Sequence, residues 1–478
     1  MNPNNPQNPN PRNSLFKPSY LFSFLIILIA ISISLIIPQT NYIKSQLFPQ
    51  ILKLLGLNHT ILNLNKPTPL NPYTNPCVLW MAPFISGGGY CSEAWSYVLS
   101  LNKYNKDANF TLSIAQHGDG ENVYFWEGLP LDMKRLAYEL YGRECRLNES
   151  IVICHSEPGA WNPPLFQTTL CPPLNSRFSI GRTMFETDRV NPEHVKRCNA
   201  MDMVWVPSDF HVATFVKSGV DPFKVVKVVQ AIDTELFDPV RYSPLDVSSL
   251  GNLVLGLGSS GSDLRNPFVF LSVFKWEYRK GWDVLLRSYL KEFDSLDGVS
   301  LYLLTNPYHS DSNFGNKIVE FVEDSELVKP VNGWAPVYVI DAHIAQFDFP
   351  RLYKAADAFI LPTRGEGWGR PIVEAMAMSL PVVVTNWSGP TEYMNEKNSY
   401  LLPVDKMSEV IDGPFKGHMW AEPSVDKLRF LMRHVVNNPE EAKSKGKKAR
   451  EDMIDKYSSK IVANIVSDQI QLILEKVA

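Results

Sequence analysis

The sequence predicts an α/β protein with two doubly wound domains of parallel strands, preceded by one N-terminal transmembrane helix. Short apolar strand patterns alternate with helical patterns, and this alternation starts twice, once before Gln230 and once after Gly251. The chain of 478 residues is also too long for a single core. Residues 20–37 form a predominantly apolar run without a charge, which is just long enough to span a bilayer.

The division of the chain follows from these patterns. We expect the helices at the end of the chain to cross back to the first domain or to stay on the second. The predicted segments are a cytosolic tail (1–19), a transmembrane signal anchor (20–37), a lumenal stem (38–76), a first α/β domain (77–235), a second α/β domain (252–440) and C-terminal helices (441–478).

The flanks of the apolar run predict its orientation. Arg12 and Lys17 precede it and no acidic residue does, which favours a cytosolic N-terminus and a lumenal body. A cleaved signal peptide is the alternative, but residues 36–39 lack the small residues of a cleavage site. The short span favours the thinner membranes of the early secretory pathway. We therefore expect a single-pass type II protein of the Golgi or ER membrane.

The cysteines and glycosylation signals are compatible with a lumenal body. No two cysteines form a C-x-x-C pair, which argues against a zinc or thioredoxin-like site. Disulfides and buried free thiols both remain open. Of the four N-x-S/T matches we expect Asn386 to be unmodified, because it follows a predicted core strand. The cysteines are Cys77, Cys91, Cys145, Cys154, Cys171 and Cys198, and the other matches are Asn58, Asn109 and Asn148.

Composition excludes some functions. A net charge of −4 gives no reason to expect nucleic-acid binding. The chain contains no Asp-x-Asp motif, so we expect no metal site. His117, His155, His309 and His343 lack a ligand spacing and should have structural or solvated roles. His117 and His155 follow predicted strands, so they are candidates to line a cleft.

Two acids in residues 361–377 give the most informative signal. A predicted strand at 358–361 ends in a turn with three glycines, and Pro371 suits the first position of the next helix. Glu366 therefore lies on a loop at the carboxyl end of a strand and Glu374 in the first turn of a helix, where open α/β sheets bind ligands. The amides of the loop and the helix N-terminus favour an anion, whereas carboxylates accept hydrogen bonds from hydroxyl groups. A ligand with a diphosphate and several hydroxyls satisfies both.

The string Gly-Glu-Gly-Trp-Gly-Arg-Pro-Ile-Val-Glu-Ala at residues 365–375 resembles the signature of retaining GT-B glycosyltransferases of family 4. The resemblance implies two Rossmann-like domains facing a central cleft. It also implies transfer of a hexose-type sugar from a nucleotide-diphosphate sugar to a glycan, lipid or small-molecule acceptor, with no cofactor. It assigns Glu366 to the donor sugar, Glu374 to the ribose hydroxyls, and the amides of Gly367, Trp368 and Gly369 to the diphosphate and sugar.

Residues 270–283 resemble the strand-end loop that brings an Arg and a Lys to the donor phosphates in that family. Lys280 occupies the Lys position. The Arg position is not matched; we favour Lys275, one residue out of register, and consider Arg279 as a second candidate. Solvated basic residues at a helix start are the structural alternative.

The first domain carries two weaker resemblances. Residues 86–89 resemble the glycine loop that closes on the donor, which assigns Gly88 and Gly89 to donor binding. Residues 181–189 are predicted to be the acceptor-side loop, with Glu186 where many family members have a cleft His. A structural ion-pair cluster among the charged residues of this loop, Arg182, Glu186, Asp188 and Arg189, is the alternative.

Two other functions stay open at this point. The fold could belong to a catalytically inactive lumenal protein that binds a glycan or a nucleotide sugar. It could also belong to a sugar-phosphate phosphorylase or synthase, although the predicted membrane anchor disfavours this. The sequence does not specify the sugar, the base or the acceptor.

Overall fold

A computed structural model describes residues 76–105, 108–257, 267–307, 312–342 and 344–477. The described residues all lie in one compact unit. None of the helices in these ranges is long and apolar enough to cross a bilayer. The predicted tail, the span at 20–37 and all but the last residue of the predicted stem lie outside the described ranges, as do Asn58, His309 and His343.

The first α/β domain is built on a sheet of six parallel strands in the order β2-β1-β3-β4-β5-β6. Helices connect most successive strands, as parallel pairing usually requires, whereas the connection from β3 to β4 contains only a 3-10 turn at Pro158–Ala160. The strands are β1 (Cys77–Ala82), β2 (Thr111–Gln116), β3 (Ser150–His155), β4 (Phe178–Arg182), β5 (Met203–Val206) and β6 (Val225–Lys227). The helices are α1 (Gly89–Tyr104), α2 (Val123–Gly128), α3 (Leu131–Tyr141), α4 (Pro192–Ala200) and α5 (Asp209–Lys217).

The second α/β domain has a seven-stranded sheet in the order β13-β12-β11-β8-β9-β10-β7, in which β7 joins antiparallel to β10. Its strands are β7 (Asn252–Leu255), β8 (Phe268–Trp276), β9 (Val299–Pro307), β10 (Val337–Ile340), β11 (Ala358–Leu361), β12 (Val382–Thr385) and β13 (Tyr400–Leu402). Its helices are α6 (Val247–Leu250), α7 (Trp282–Glu292), α8 (Phe314–Asp324), α9 (Phe349–Lys354) and α10 (Arg370–Ala377).

A two-stranded hairpin and three helices complete the chain. The hairpin pairs β14 (Val404–Glu409) with β15 (Met419–Pro423) in antiparallel register. The helices are α11 (Val425–Asn437), α12 (Pro439–Tyr457) and α13 (Ser459–Val477). Helix α13 packs along α1 of the first domain, where Asn105 donates to the carbonyl of Ala463. The described end of the chain therefore ties the two sheets together.

The prediction of a loop over residues 181–189 is wrong at its start. Gly181 and Arg182 are the last residues of β4, which pairs with β3 and β5 inside the sheet. The strand was missed because serine and glycine interrupt its apolar pattern, and glycine has low strand propensity. The true loop begins at Thr183.

The end of β4 carries a buried ion pair. Arg182 and Glu93 of α1 are both fully buried, and the Arg182 Nε lies 2.8 Å from Glu93 Oε1. Arg182 also donates to the carbonyl of Val228, and His155 Nε2 lies 3.0 Å from Glu93 Oε2. Burial opposes ionisation, but Arg182 and His155 lower the pKa of Glu93 to about 2. Arg182 thus belongs to a structural ion pair, although with Glu93 rather than with the charged residues of its own loop.

His117 and His155 do not line the cleft, contrary to the sequence-based expectation. Both are buried, with exposed fractions of 1% and 0%. His117 contacts the Thr169 carbonyl and Ser156, while His155 accepts from the Trp80 indole. His117 follows β2 as predicted, whereas His155 is the last residue of β3, and both rings are buried in the packing around the sheet.

Four of the six cysteines form two disulfides, Cys77–Cys145 and Cys154–Cys171. Cys91 and Cys198 are free and buried. Both alternatives that the sequence left open are therefore realised, each by a different set of cysteines.

We predict that the free energy of unfolding falls between pH 7 and pH 5, which is above the pH range in which carboxyl groups titrate. Burial lowers the pKa of His117 to about 4 and that of His211 to about 3, from an unperturbed 6.5. Because the unfolded chain then binds more protons, stability is full above pH 6.5 and falls as pH decreases. For His117 the loss between pH 7 and pH 5 is about 2 kcal/mol.

Urea unfolding at pH 7, 6 and 5 measures this dependence. His117→Gln should make the decline shallower by removing one titrating group. A free energy of unfolding that is unchanged over this interval would contradict the neutral, buried state of these rings.

Candidate sugar-nucleotide site

The candidate site forms where β8 and β11, neighbours in the second sheet, reach their carboxyl ends. A 3-10 turn at Tyr278–Lys280 follows β8 and carries two of the predicted cations. The glycine-containing loop at residues 362–369, here called the donor loop, follows β11 and leads into α10. Adjacent parallel strands thus bring Lys280 to Glu366, 86 residues away in sequence.

Glu366 lies at the centre of a charged cluster. Its two carboxylate oxygens each lie 2.8 Å from Lys280 Nζ, and Thr363 donates to Oε1 at 3.0 Å. Arg279 Nη1 lies 3.6 Å from Oε2. Burial opposes ionisation, but Lys280 first and Arg279 second hold the pKa of Glu366 below its usual value. The residue is therefore a buried, ionised hydrogen-bond acceptor.

Glu374 has a different environment on the first turns of α10. Tyr353 of α9 donates to its Oε2 at 2.8 Å, and Arg370 Nε lies 4.0 Å from its Oε1. Burial raises the pKa of Glu374, with Arg370 and Tyr353 opposing that effect. The two acids therefore have opposite pKa shifts, although they lie only eight positions apart in the sequence.

The structure distinguishes the two candidates for the second cation. Arg279 donates to the Gly365 carbonyl at 2.6 Å, pairs with Glu277 at 2.8 Å and lies near Glu366. Lys275 is exposed at the end of β8, opposite Asn306 of β9. Its charge instead affects Asp119. Burial and Glu157 raise the pKa of Asp119, and Lys275 opposes that shift. The structure brings Arg279, and not Lys275, to Glu366; a role of Lys275 towards a ligand stays a prediction.

Glu186 reaches this cluster from the first domain. Its Oε1 lies 3.6 Å from Arg279 Nη1, the same guanidinium nitrogen that approaches Glu366. Burial raises the pKa of Glu186; Arg279 opposes this and Glu366 adds to it. A single arginine thus lies between one carboxylate of each domain.

Close backbone approach explains two of the glycines of the donor loop. A Cβ at Gly365 would lie 2.3 Å from the Glu186 carbonyl oxygen, and one at Gly367 would lie 2.6 Å from Met184 Sδ. A side chain at Gly365 would displace the backbone of Glu186, whereas one at Gly367 would displace the Met184 side chain, so these glycines permit the close contact.

The remaining predicted residues lie around this contact. Gly88 caps the N-terminus of α1 and Gly89 is its first residue. The Tyr90 hydroxyl in the same turn forms hydrogen bonds with the Thr183 hydroxyl and the Met184 carbonyl, which links the glycine loop to residues 183 and 184. The Trp368 indole is buried against Tyr393 and Tyr457, which leaves only its backbone near the loop surface.

Sequence reasoning missed two residues that hold the donor loop. Arg364 is fully buried, contacts Asp283 and Glu422 at 2.8 and 2.9 Å, and stacks on Tyr278. The Ser388 hydroxyl accepts a hydrogen bond from the Glu366 amide at 2.8 Å. The signal for Ser388 was present, since it follows strand β12 and precedes Gly389 and Pro390. Arg364 offered none, because its partners are distant in sequence.

Among the residues that the structure describes, no group of three His, Cys, Asp or Glu side chains is arranged to hold an ion.

The comparisons with known proteins agree with this geometry. A family model described as "Glycosyl transferases group 1" matches residues 265–413, which include the donor loop. An Escherichia coli UDP-Gal:alpha-D-GlcNAc-diphosphoundecaprenol alpha-1,3-galactosyltransferase is 27% identical over 202 residues, 40% of this chain and 45% of that protein. The mannosylfructose-phosphate synthase of Agrobacterium fabrum is 28% identical over 156 residues, 32% of each chain. The chain thus matches less than half the length of these curated relatives.

Solved structures resemble the chain over most of its length. Sucrose-phosphate synthase from Thermosynechococcus elongatus has a TM-score of 0.56 at 13% identity, covering 84% of this chain and all of that one. Anabaena HepE, solved with UDP and glucose, has a TM-score of 0.54 at 14% identity, covering 83% of this chain and 100% of that one. The fold is therefore α/β and GT-B-like. Fold and family match together support a GT-B glycosyltransferase.

We predict a strong energetic coupling between Lys280 and Glu366. Lys280→Ala alone leaves a buried carboxylate without its nearest cation, whereas the double variant with Glu366→Gln removes both charges. The coupling should be about 1–3 kcal/mol, because the pair is buried and closely spaced.

A double-mutant cycle by urea unfolding measures this energy. The exposed pair Glu440 and Lys443, 2.9 Å apart on α12, is the matched control and should show no measurable coupling. Equal, near-zero values for both pairs would contradict the geometry around Glu366.

Proposed function

We propose that the protein is a retaining glycosyltransferase that moves a hexose-type sugar from a nucleotide-diphosphate sugar to an acceptor hydroxyl. The observation that carries this is the buried Lys280–Glu366 pair with Arg279 beside it, at the donor loop. The relatives give the same class: the E. coli protein is named for the use of UDP-Gal, and the HepE structure holds UDP and glucose.

The charges of the site divide into two roles. Lys280, Arg279 and the amides of the donor loop supply positive charge for a diphosphate. Glu366, kept ionised by those cations, accepts hydrogen bonds from sugar hydroxyls, and Glu374 with Tyr353 does so for the ribose. Lys280 Nζ lies 2.8 Å from both Glu366 oxygens and 4.0 Å from Glu277 Oε1. When the donor binds, Lys280 therefore contacts both the Glu366 carboxylate and a phosphate.

The reaction breaks the bond between the anomeric carbon and the phosphate oxygen and forms one to the acceptor oxygen. Negative charge grows on the leaving diphosphate, and fixed cations and amides that stabilise such charge typically supply the largest catalytic contribution. Retention follows the family resemblance: the acceptor attacks from the face that the phosphate leaves, and the acceptor proton passes to that phosphate. In this scheme Glu366 therefore does not act as a general acid.

We further propose that the enzyme is anchored in a Golgi or ER membrane by residues 20–37 and works in the lumen. Three features support this placement. The positively charged flank of the apolar run favours a cytosolic N-terminus. The disulfides Cys77–Cys145 and Cys154–Cys171 are typical of an oxidising compartment. Asn109 and Asn148 are exposed, as glycan acceptors must be.

Glu366→Gln should preserve the fold and abolish most transfer. The side-chain volume is kept, but the charge that fixes Lys280 and orients the sugar is lost, so turnover should fall at least about 100-fold. The measurement is nucleotide release from UDP-glucose, GDP-mannose and ADP-glucose, with circular dichroism to check folding. Glu323→Gln, an exposed change on α8, is the control.

Release that is undiminished in Glu366→Gln would exclude the proposed role. If the unaltered protein binds one of these donors in a thermal-shift screen yet releases no nucleotide, it is a binding protein. A ligand at 100 times its dissociation constant stabilises by about 2.7 kcal/mol, which such a screen detects.

Activity should survive chelation. Lys280, Arg279 and the donor-loop amides neutralise the leaving diphosphate in this scheme, so EDTA should leave the rate of nucleotide release unchanged. The assay is run with EDTA and with EDTA plus excess Mn²⁺. Strict dependence on the added metal would contradict the scheme.

A further inference from the structure

The β14–β15 hairpin lies between the two halves of the site. We propose that it is a clasp that holds residues 184–189 of the first domain against the donor loop, and that Asp188 is the positioning residue for Glu186. The catalytic part of this inference rests on the proposed function, whereas the structural part does not.

One end of β15 is bound to the first domain. Asp188 and Met419 exchange two hydrogen bonds: the Asp188 amide donates to the Met419 carbonyl at 2.9 Å, and the Met419 amide donates to Asp188 Oδ1 at 2.7 Å. His418 Nδ1 lies 2.9 Å from Thr187 Oγ1. Because that hydroxyl donates to the Arg189 carbonyl, His418 is the donor to Thr187.

The hairpin turn adds two further contacts on the same side. Arg189 donates to the Gly417 carbonyl. Phe415 packs edge-on against Phe185, with ring centroids 5.2 Å apart. Each of the five residues 185–189, except Glu186 itself, is therefore contacted by the turn or by the start of β15.

The other end of β15 is bound to the donor loop. The Ala421 amide donates to the Arg364 carbonyl at 3.0 Å, and Glu422 pairs with the Arg364 guanidinium at 2.9 Å. Arg364 is two residues before Glu366. The five residues of β15 thus connect the neighbours of Glu186 to the neighbours of Glu366.

In this arrangement the Glu186 side chain faces the charged cluster of the site. Its backbone carbonyl lies against Gly365, its flanking residues are held by the hairpin, and its carboxylate points to Arg279 at 3.6 Å. Other contacts also join the domains, including Arg370 to the Ala231 carbonyl and Lys227 to Glu392. The hairpin is distinguished from these by reaching both charged halves of the site.

Two variants of one residue test the clasp in the full chain. Asp188→Ala removes the acceptor of the Met419 amide, whereas Asp188→Asn keeps an oxygen that can accept the same bond. Asp405→Ala is the matched control, because Asp405 lies on the same hairpin but pairs outward with Lys427. If Asp188→Ala fails to fold, Arg189→Ala replaces it, since that side chain is exposed.

The first readout does not depend on activity. Hydrogen exchange of the backbone amides in residues 183–190 should become about tenfold faster in Asp188→Ala, since local opening is easier once the bond is lost. It should be unchanged in Asp188→Asn and Asp405→Ala. Exchange in Asp188→Ala equal to that of the unaltered protein would overturn the clasp.

The second readout separates positioning from donor binding. With the donor among UDP-glucose, GDP-mannose and ADP-glucose that the unaltered protein hydrolyses, kcat should fall about tenfold in Asp188→Ala, with KM changed less than about threefold. Asp188→Asn should restore kcat. An unchanged kcat despite faster exchange would overturn the positioning role. If the unaltered protein releases nucleotide from none of the three, the proposed function fails, while faster exchange still supports the clasp.

Discussion

The close approach of two backbones organises this site. The donor loop meets residues 184–186 closely because Gly365 carries no side chain where the Glu186 carbonyl lies, and Gly367 leaves room for the Met184 side chain. That contact places carboxylates of both domains on one arginine, Arg279. Each of these charged side chains is positioned by the sheet of its own domain. The complete cluster therefore forms only while the two domains stay in this close contact.

Buried charge keeps each half in place. In the first domain the Glu93–Arg182 pair joins the helix after the glycine loop to the strand before Glu186. In the second domain Arg364 joins the donor loop to Asp283 and Glu422. Removing one member of such a pair leaves an uncompensated charge, typically at a cost of about 3–5 kcal/mol. The loops that approach a ligand are therefore anchored by interactions that do not touch it.

Much of the fold could be predicted because apolar strands leave a local signal. The predicted strand at 358–361 coincides with β11. Strand β4 was missed, since Ser179 and Gly181 interrupt its pattern, and the hairpin was missed because β14 carries mostly polar residues. The sequence named both Lys275 and Arg279 as candidates for the second cation but favoured Lys275, because only the 3-10 turn after β8 decides which of the two lies beside Glu366.

The sequence by itself determined the α/β class, the position of Glu366 and Glu374 around a glycine-containing turn, and the cation at Lys280, because these depend on strand ends and short spacings. The tertiary structure decided which groups meet across domains. It paired Arg182 with Glu93, set Glu186 beside Arg279, buried His117 and His155, and tied Asp188 to Met419. Such contacts join residues far apart in the chain, so no local pattern records them.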